Sequence, residues 1–400
     1  MDQTVTIKVK LLIKDVPEFD DLTMRFMQAC NYVSDWIFDH NFILGQAQLN
    51  KSLYYAIRDK FDLKAQLTQS VIRAVVARYR TAKTQLAKRP YHYYDQANNK
   101  NYYIKRDLTW LQRPIRFNKP QADLQRNRDW SLANNQLSLN TLGDRIKTNY
   151  ICKGFDQYLN DNWKLGLGKL IKQRNHWYFY VSATRILPDY DLNQTQHVVG
   201  IDRGLRFLAT CYDEKGQTRF FSGKEISRKR NKYNRLRQEL QRRNTKSAKR
   251  RLKTIGQREN RWMSDVNHCL SKTLVNTYGP NTLFVLEDLT GVTFNTTKNR
   301  KKDNRYEHNS WAFYQLEQDL IYKANLNHSH VTKVAPEFTS QRCIKCGQIN
   351  KDNRDHDLHL YTCDKCGYKS NDDRIAAMNI QLLGTEVISG ITNPKFTNNN

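Results

Sequence analysis

The sequence has no run of eighteen apolar residues, so no segment is long enough to cross a bilayer as a helix. Its N-terminus, MDQTVTIKVK, lacks the apolar stretch of a secretory signal, and both absences point to the cytosol. Internal repeats are absent. Acid is also scarce: 66 Lys and Arg stand against 39 Asp and Glu, a net charge of +27 over 400 residues. A chain this basic is expected to meet a polyanion, with nucleic acid first and an anionic membrane surface second. The length allows two to four domains and an ample core.

Of the eight cysteines, Cys30, Cys152, Cys211 and Cys269 are scattered. Cys343, Cys346, Cys363 and Cys366 form a CxxC–x16–CxxC cluster. In a reducing compartment this spacing reads as metal ligation rather than disulfides. Each pair presents two thiolates from one turn, and two turns complete a tetrahedral Zn²⁺ site. Gly347 and Gly367 follow the second thiolates, where such turns need permissive backbone. Four thiolates leave no open position, so the zinc is expected to be structural. His356 and His359, between the pairs, read as solvated rather than as ligands.

Residues 4–13 begin as an alternating strand. Asp20 or Asp21 is placed to cap a helix carrying Leu22, Phe26, Ala29, Cys30, Val33 and Ile37, and a second helix spans 63–86. Residues 21–88 are thus a helical subdomain, either a bundle with a solvated basic face or a surface for a nucleic-acid backbone. Residues 89–110 are rich in Tyr and Asn and lack a clean period; the rings either stack bases or fold on one another. From 115 to 181 the pattern is mostly β. Hairpins are expected around Asn134-Asn135 and around 173–175, with the strand at 4–13 joining the sheet. Residues 185–196, with Pro188, read as a linker, and 384–400 as a frayed tail.

Residues 222–262 hold sixteen Lys and Arg and three Glu, so about half the net charge lies in a tenth of the chain. Two helical segments split near Asn244 are expected here. The alternatives are a charged surface hairpin and a phosphate-contacting one; like charges repel unless an anion neutralises them. The candidate contacts are Lys224, Arg228, Lys229, Arg230, Arg235, Arg242, Arg243, Lys249, Arg250 and Arg251.

Two buried-strand signals end in acids: HVVGID at Asp202 and TLFVLE at Glu287. Alone, Asp202 either caps a turn or holds a cation. Residues 197–383 read β–β–β–α–β–α–β–α, the order of a ribonuclease-H-like fold. The fourth strand then lies parallel to the first, so Asp202 and Glu287 adjoin and Asp373 enters from the last helix. Three converging carboxylates repel unless divalent cations bind them, and oxygen ligands favour Mg²⁺ or Mn²⁺.

GIDRG, VLEDL, TSQRCIKCG and CDKCGYKSNDDRIAAMNI resemble, in this order, the RuvC motifs and zinc ribbon of the TnpB nucleases of insertion sequences. The chain also resembles their descendants, the miniature CRISPR type V effectors. The resemblance is strong over 197–383 and weaker before it, where PIRFNKPQ and the hairpins resemble a wedge domain. It implies an α+β multidomain fold: a β-barrel-like wedge (1–20 and 111–184) with an inserted helical recognition domain and connector (21–110). A linker (185–196) and a RuvC-like nuclease (197–338) follow, then a zinc ribbon (339–368), the third motif's helix (369–384) and a tail (385–400).

By the same resemblance Asp202, Glu287 and Asp373 are the catalytic acids holding two Mg²⁺, and Asp288 and Asp372 are bystanders. The implied activity is RNA-guided cleavage of double-stranded DNA beside a short flanking motif. The implied partners are a guide RNA and target DNA, with no membrane. The protein is expected to be a monomer on its RNA, with a dimer as the alternative, in a prokaryotic cytoplasm near the nucleoid. A compact CRISPR effector and a nuclease-inactive RNA-guided repressor are the other readings. Arg203 and Ile375 depart from the family pattern, where an aliphatic residue and Asn are usual.

Overall fold

A computed structural model describes residues 2–289, 313–355 and 358–397. The chain divides into two units, Asp2–Ile186 and Leu187–Asn400.

In the first unit, β1 (Asp2–Leu11) buries Ile7, Val9 and Leu11 on one face. Three helices follow, α1 (Pro17–Asp39), α2 (Gln46–Phe61) and α3 (Ala65–Ala87). Helix α1 starts ahead of the expected acidic cap. Pro17, whose ring presets the helical φ, opens it, and Val16 gives no side-chain cap. Asp20 instead pairs with Lys172 at 2.6 Å. The sequence reading missed α2 because its buried stripe is only Leu49, Leu53 and Ile57, about one residue per turn.

The Tyr/Asn-rich connector is a hairpin, β2 (Tyr91–Asp95) and β3 (Lys100–Ile104). After it come β4 (Gln121–Leu124), β5 (Trp130–Ala133), β6 (Gln136–Leu139), β7 (Ile146–Thr148), β8 (Tyr150–Ile151), β9 (Lys164–Gln173) and β10 (His176–Ile186). One sheet has the order β4-β9-β10-β1-β8, so the first strand joins strands that follow the helices. Strands β5, β6 and β7 form a separate sheet rather than extending it. Positive φ at Asn134 and Asn135, and at Arg174 and Asn175, makes both expected tight turns. Because β10 runs to Ile186, the linker begins two residues later than its composition suggested.

The second unit is built on β11 (His197–Asp202), β12 (Phe207–Tyr212), β13 (Thr218–Ser222), β14 (Thr282–Glu287) and β15 (His330–Val334), in the order β13-β12-β11-β14-β15. The first three are antiparallel; β14 is parallel to β11, and β15 to β14. Helices α4 (Lys224–Arg243) and α5 (Lys246–Tyr278) break at Asn244, which adopts left-handed backbone. They are followed by α6 (Phe313–Leu326) and α7 (Asp372–Ile388). The sequence also reads as a polar, basic stretch over 293–309 and a helix over 311–325; that stretch and the start of that helix lie outside the described residues.

Both faces of the central strands are covered. Val199, Ile201, Phe284 and Leu286 pack on α5 and α6, through Leu270, Leu274, Leu316 and Leu320. Val198, Leu283 and Val285 pack on α7. This explains why HVVGID and TLFVLE are continuously apolar rather than alternating.

The expected frayed tail is a correction. Helix α7 continues through Gly384 to Ile388, and Phe396 is buried against the same core. Gly384 is not a breaker here: a Cβ at that position would sit 2.4 Å from Val285 Cγ2, so its bareness lets the helix close on the sheet. Between α6 and α7 lies a small sheet of β16 (Arg354–Asp355), β17 (Leu360–Thr362) and β18 (Lys369–Asn371), in that order.

Candidate functional site

Asp202 and Glu287 are the last residues of β11 and β14. The parallel register pairs Ile201 with Leu286, so the two acids leave adjacent strand ends together. Asp373 comes from the first turn of α7. The Asn371 side chain caps that helix by accepting from the Arg374 N–H at 3.1 Å. Helix α7 reaches the strand ends because Gly200 of β11 has no side chain; a Cβ there would stand 2.2 Å from the Ala377 carbonyl.

The carboxylates act on one another. Burial pushes Asp202 well above the usual carboxylate range, and the charges of Glu287 and then Asp373 push it further, against Arg354. Burial also raises Glu287, opposed by the Thr339 hydroxyl donating to it and by Arg203 and Arg354. Asp373 is nearly buried. Its neighbour Asp372 is fully buried and engaged: Arg354 Nε donates to it at 2.9 Å, and His359 Nδ1 lies 3.4 Å away. Arg354 also approaches Asp373, at 3.6 Å.

Among the described residues, two groups keep all their potential ligand atoms within 4.8 Å of each other. These are the four cysteines and the set His359, Asp372 and Asp373. Asp202, Glu287 and Asp373 are not such a group. A buried Asp202 driven toward protonation by two neighbouring carboxylates makes an oxygen donor set that fits hard divalent cations, which would relieve that repulsion.

The two departures from the family pattern have structural partners. The Arg203 side chain is buried, donating to Glu317 Oε2 at 3.0 Å and to the Glu287 carbonyl at 2.9 Å. It ties the end of β14 to α6, while Lys333 bridges Glu317 and Asp288, each at 3.3 Å. Ile375 is fully buried beside Cys343, Tyr361, Cys363 and Met378, joining α7 to the cysteine module.

That module is two matching knuckles. Cys343 N–H donates to the Gln348 carbonyl and Gly347 N–H to the Cys343 carbonyl; Cys363, Tyr368 and Gly367 repeat the pattern. Both glycines have positive φ. Sγ atoms pair at 3.6 Å, Cys343 with Cys366 and Cys346 with Cys363. Four thiols this close, on turns whose backbone N–H groups hold Cys346 down to about 7, suit a tetrahedral zinc site. His359 is not among them. It is half-buried against Asp372 rather than solvated, and His356 lies outside the described residues.

Of the ten basic candidates on α4 and α5, nine are exposed: Lys224, Arg228, Lys229, Arg235, Arg242, Arg243, Lys249, Arg250 and Arg251. Arg230 is 3% exposed and turned into the protein, which removes it as a surface contact. Charge density alone could not tell the docked side of the helix from the free one. Arg228 is paired with Glu225 at 2.7 Å, and Lys229 lies over the Trp262 ring at 4.3 Å. An open cavity of about 860 Å³ is lined by Arg228, Lys229, Lys232, Arg235 and Trp262 among others.

Sequence reasoning missed Arg354 and Thr339. Thr339 opens the TSQRCIKCG motif but reads there only as the lead-in to the cysteines, while Arg354 sits in no telling motif and reaches the acids through the pairing of β16 with β17 and of β17 with β18.

Comparison with known families agrees with this topology. A model described as "Probable transposase" (OrfB_IS605) matches residues 183–291, and one described as "Cas12f1-like, TNB domain" matches 313–380. The chain is 29% identical over 255 residues to the CRISPR-associated endodeoxyribonuclease Cas12f1 of Sulfoacidibacillus thermotolerans, covering 58% of this chain and 57% of that one. It is 25% identical over 226 residues to the TnpB-like protein L79 of Acanthamoeba polyphaga mimivirus, covering 52% and 41%. To the putative RNA-guided DNA endonuclease InsQ of Escherichia coli it is 24% identical over 258 residues, covering 59% and 61%. The matches thus span about half the length of these relatives.

A solved Cas12f1–sgRNA–target DNA complex shares the fold, with a TM-score of 0.57 at 13% identity over 91% of this chain and 81% of that one. CasPhi-2 bound to crRNA and DNA shares it at 0.51, with 12% identity over 98% and 92%. Fold and site define a mixed α/β multidomain protein with a four-cysteine module. In sequence the chain is similar to TnpB-like proteins and to Cas12f1 endodeoxyribonucleases. No helix among the described residues is long and apolar enough to cross a membrane.

Proposed function

We propose that this chain is an RNA-guided DNA endonuclease of the TnpB type, with one RuvC-like site that hydrolyses phosphodiester bonds in double-stranded DNA. The observation that carries it is that Asp202 and Glu287 end adjacent parallel strands and that the charges of Glu287 and Asp373 both raise the proton affinity of the buried Asp202. The strand order β13-β12-β11-β14-β15 supports a ribonuclease-H-like nuclease domain.

Asp202, Glu287 and Asp373 would hold Mg²⁺ or Mn²⁺. Bound there, the ions would supply positive charge at the attacking and leaving oxygens of the phosphodiester. Thr339 orients Glu287 through its hydroxyl, Arg203 fixes the strand end, and Arg354 balances the acids' charge.

Cys343, Cys346, Cys363 and Cys366 would hold one structural Zn²⁺, keeping the β16–β18 module seated on α7. The exposed basic residues of α4 and α5 would lie along nucleic-acid backbone, which positions a duplex without reading its sequence. Under this reading, residues of the first unit form the wedge and recognition parts that take a guide RNA, and the complex works as a monomer on its RNA in a prokaryotic cytoplasm.

The test is cleavage of a plasmid carrying a guide-matched target beside randomised flanking sequence, with RNA and Mg²⁺. Linear product that needs both, and that Asp202→Ala abolishes, is expected. RNA-dependent binding without cleavage would leave a nuclease-inactive binder, and no RNA-dependent binding would overturn the whole reading.

A further inference from the structure

The β2–β3 hairpin of the first unit is a two-stranded sheet of its own, and it is studded with uncovered rings. Tyr91, Tyr93, Tyr94, Tyr102, Tyr103 and Trp110 are between 38% and 68% exposed. An isolated two-stranded hairpin in water is marginal, and leaving large rings in solvent forgoes the burial that normally stabilises a fold.

The rings meet one another in series. Trp110, Tyr91, Tyr93 and Tyr102 run in a continuous tier, with successive centroids 5.5, 6.2 and 5.3 Å apart and planes tilted by 35°, 31° and 17°. Core pairs such as Phe19 with Trp177 and Trp130 with Phe179 instead meet edge to face, at 76° and 75°. Edge-to-face packing uses up ring faces. Here Tyr93 and Tyr102 stack on one another and the other two contacts are tilted, so the ring faces not turned to a neighbour stay open to solvent, where a flat π-system can stack.

The platform is held in shape. Asp95 accepts from the Ala97 N–H at 3.0 Å and from Asn98 Nδ2 at 2.8 Å, which fixes the hairpin tip. His92 Nε2 and Asn101 Oδ1 are 2.9 Å apart across the strands. At the base, Arg106 Nε donates to the Arg89 carbonyl at 2.6 Å. Lys88, Arg89, Lys100, Lys105 and Arg106 stand against Asp95 alone within residues 88–106, a net charge of +4. Stackable faces bordered by cations are complementary to nucleobases on a phosphate backbone, whereas a second copy of this segment would bring like charges together.

We propose that the hairpin 91–104 with Trp110 is a stacking platform for unpaired bases of an RNA strand. The platform stands on its own observations. The choice of RNA over single-stranded DNA rests on the function proposed above.

The test uses the full-length chain and a twelve-nucleotide single-stranded RNA carrying 4-thiouridine. Controls are an abasic ribose-phosphate strand of equal length, an RNA duplex and a single-stranded DNA. Ultraviolet cross-links are expected in peptides covering 91–110. The double substitution Tyr93→Ala with Tyr102→Ala should weaken RNA binding about tenfold or more, leaving the abasic strand and the duplex within twofold. Tyr93→Phe with Tyr102→Phe, which keeps the rings, should restore wild-type affinity.

Cross-links absent from 91–110, or equal losses on the abasic strand, would overturn the platform whatever the outcome of a cleavage assay. An equal ring-dependent gain on single-stranded DNA would overturn the assignment to RNA. Ring-dependent dimerisation of the RNA-free chain, read by light scattering, would point to a second copy instead.

Discussion

Asp202 carries the sharpest consequence at the scale of single residues. Its folded-state proton affinity is raised, so without cations the native state binds a proton that the unfolded chain releases. Stability therefore falls as pH climbs from the ordinary carboxylate range toward that raised value. Asp202→Asn removes the penalty. At pH 7 the metal-free variant is expected to melt higher by roughly 2–4 °C, equivalent to about 1 kcal/mol, while cleavage drops more than about a hundredfold. A scanning calorimeter and the plasmid assay read the two effects in opposite directions, which simple misfolding cannot imitate. Arg203 gives the complementary case. Arg203→Met strands Glu317, whose remaining partner is Lys333 at 3.3 Å, and is expected to cost about 3 kcal/mol in urea denaturation. A loss under about 1 kcal/mol would show the buried pair to be incidental. The sequence marked Arg203 only as an odd residue beside an acid, because its partner lies 114 positions away.

At the scale of elements, the strands were legible where hydropathy and length spoke together. The apolar runs ending at Asp202 and Glu287 have the length and β-branched content of strands covered on both faces, and the two tight turns announce themselves through Asn. What stayed hidden depends on the absence of side chains or on sparse stripes. Gly384 read as the end of a helix, yet it is where α7 presses closest to β14. Helix α2 hides behind three buried residues. The hairpin at 91–104 has rings on both faces and so no alternation to detect. The cysteine module is the element most exposed to metal removal. Cys363→Ser is expected to lose the one zinc per chain measured by elemental analysis. Hydrogen exchange should then quicken at the start of α7, because Ile375 and Met378 pack on that module. Unchanged exchange after zinc loss would mean that α7 holds its own start.

At the scale of the whole molecule, the charge of +27 made a polyanionic partner legible, and the CxxC pairs a metal module; the resemblance of the motifs to TnpB nucleases added the expected chemistry. That Asp202 and Glu287, 85 positions apart, end adjacent strands was readable only through the strand order that places them. Charge counting placed the basic helices but misassigned Arg230, since a helix buries one side whatever its composition. The measurement that tests the proposed shared-cation site most directly is cleavage of the polypeptide by iron(II) exchanged into it, with ascorbate and peroxide. Cuts near residues 202, 287 and 373 together, all suppressed by excess Mg²⁺ and all missing in Asp202→Asn, are the expected result. Cuts confined to one of these regions, or indifferent to Mg²⁺, would contradict a common metal site.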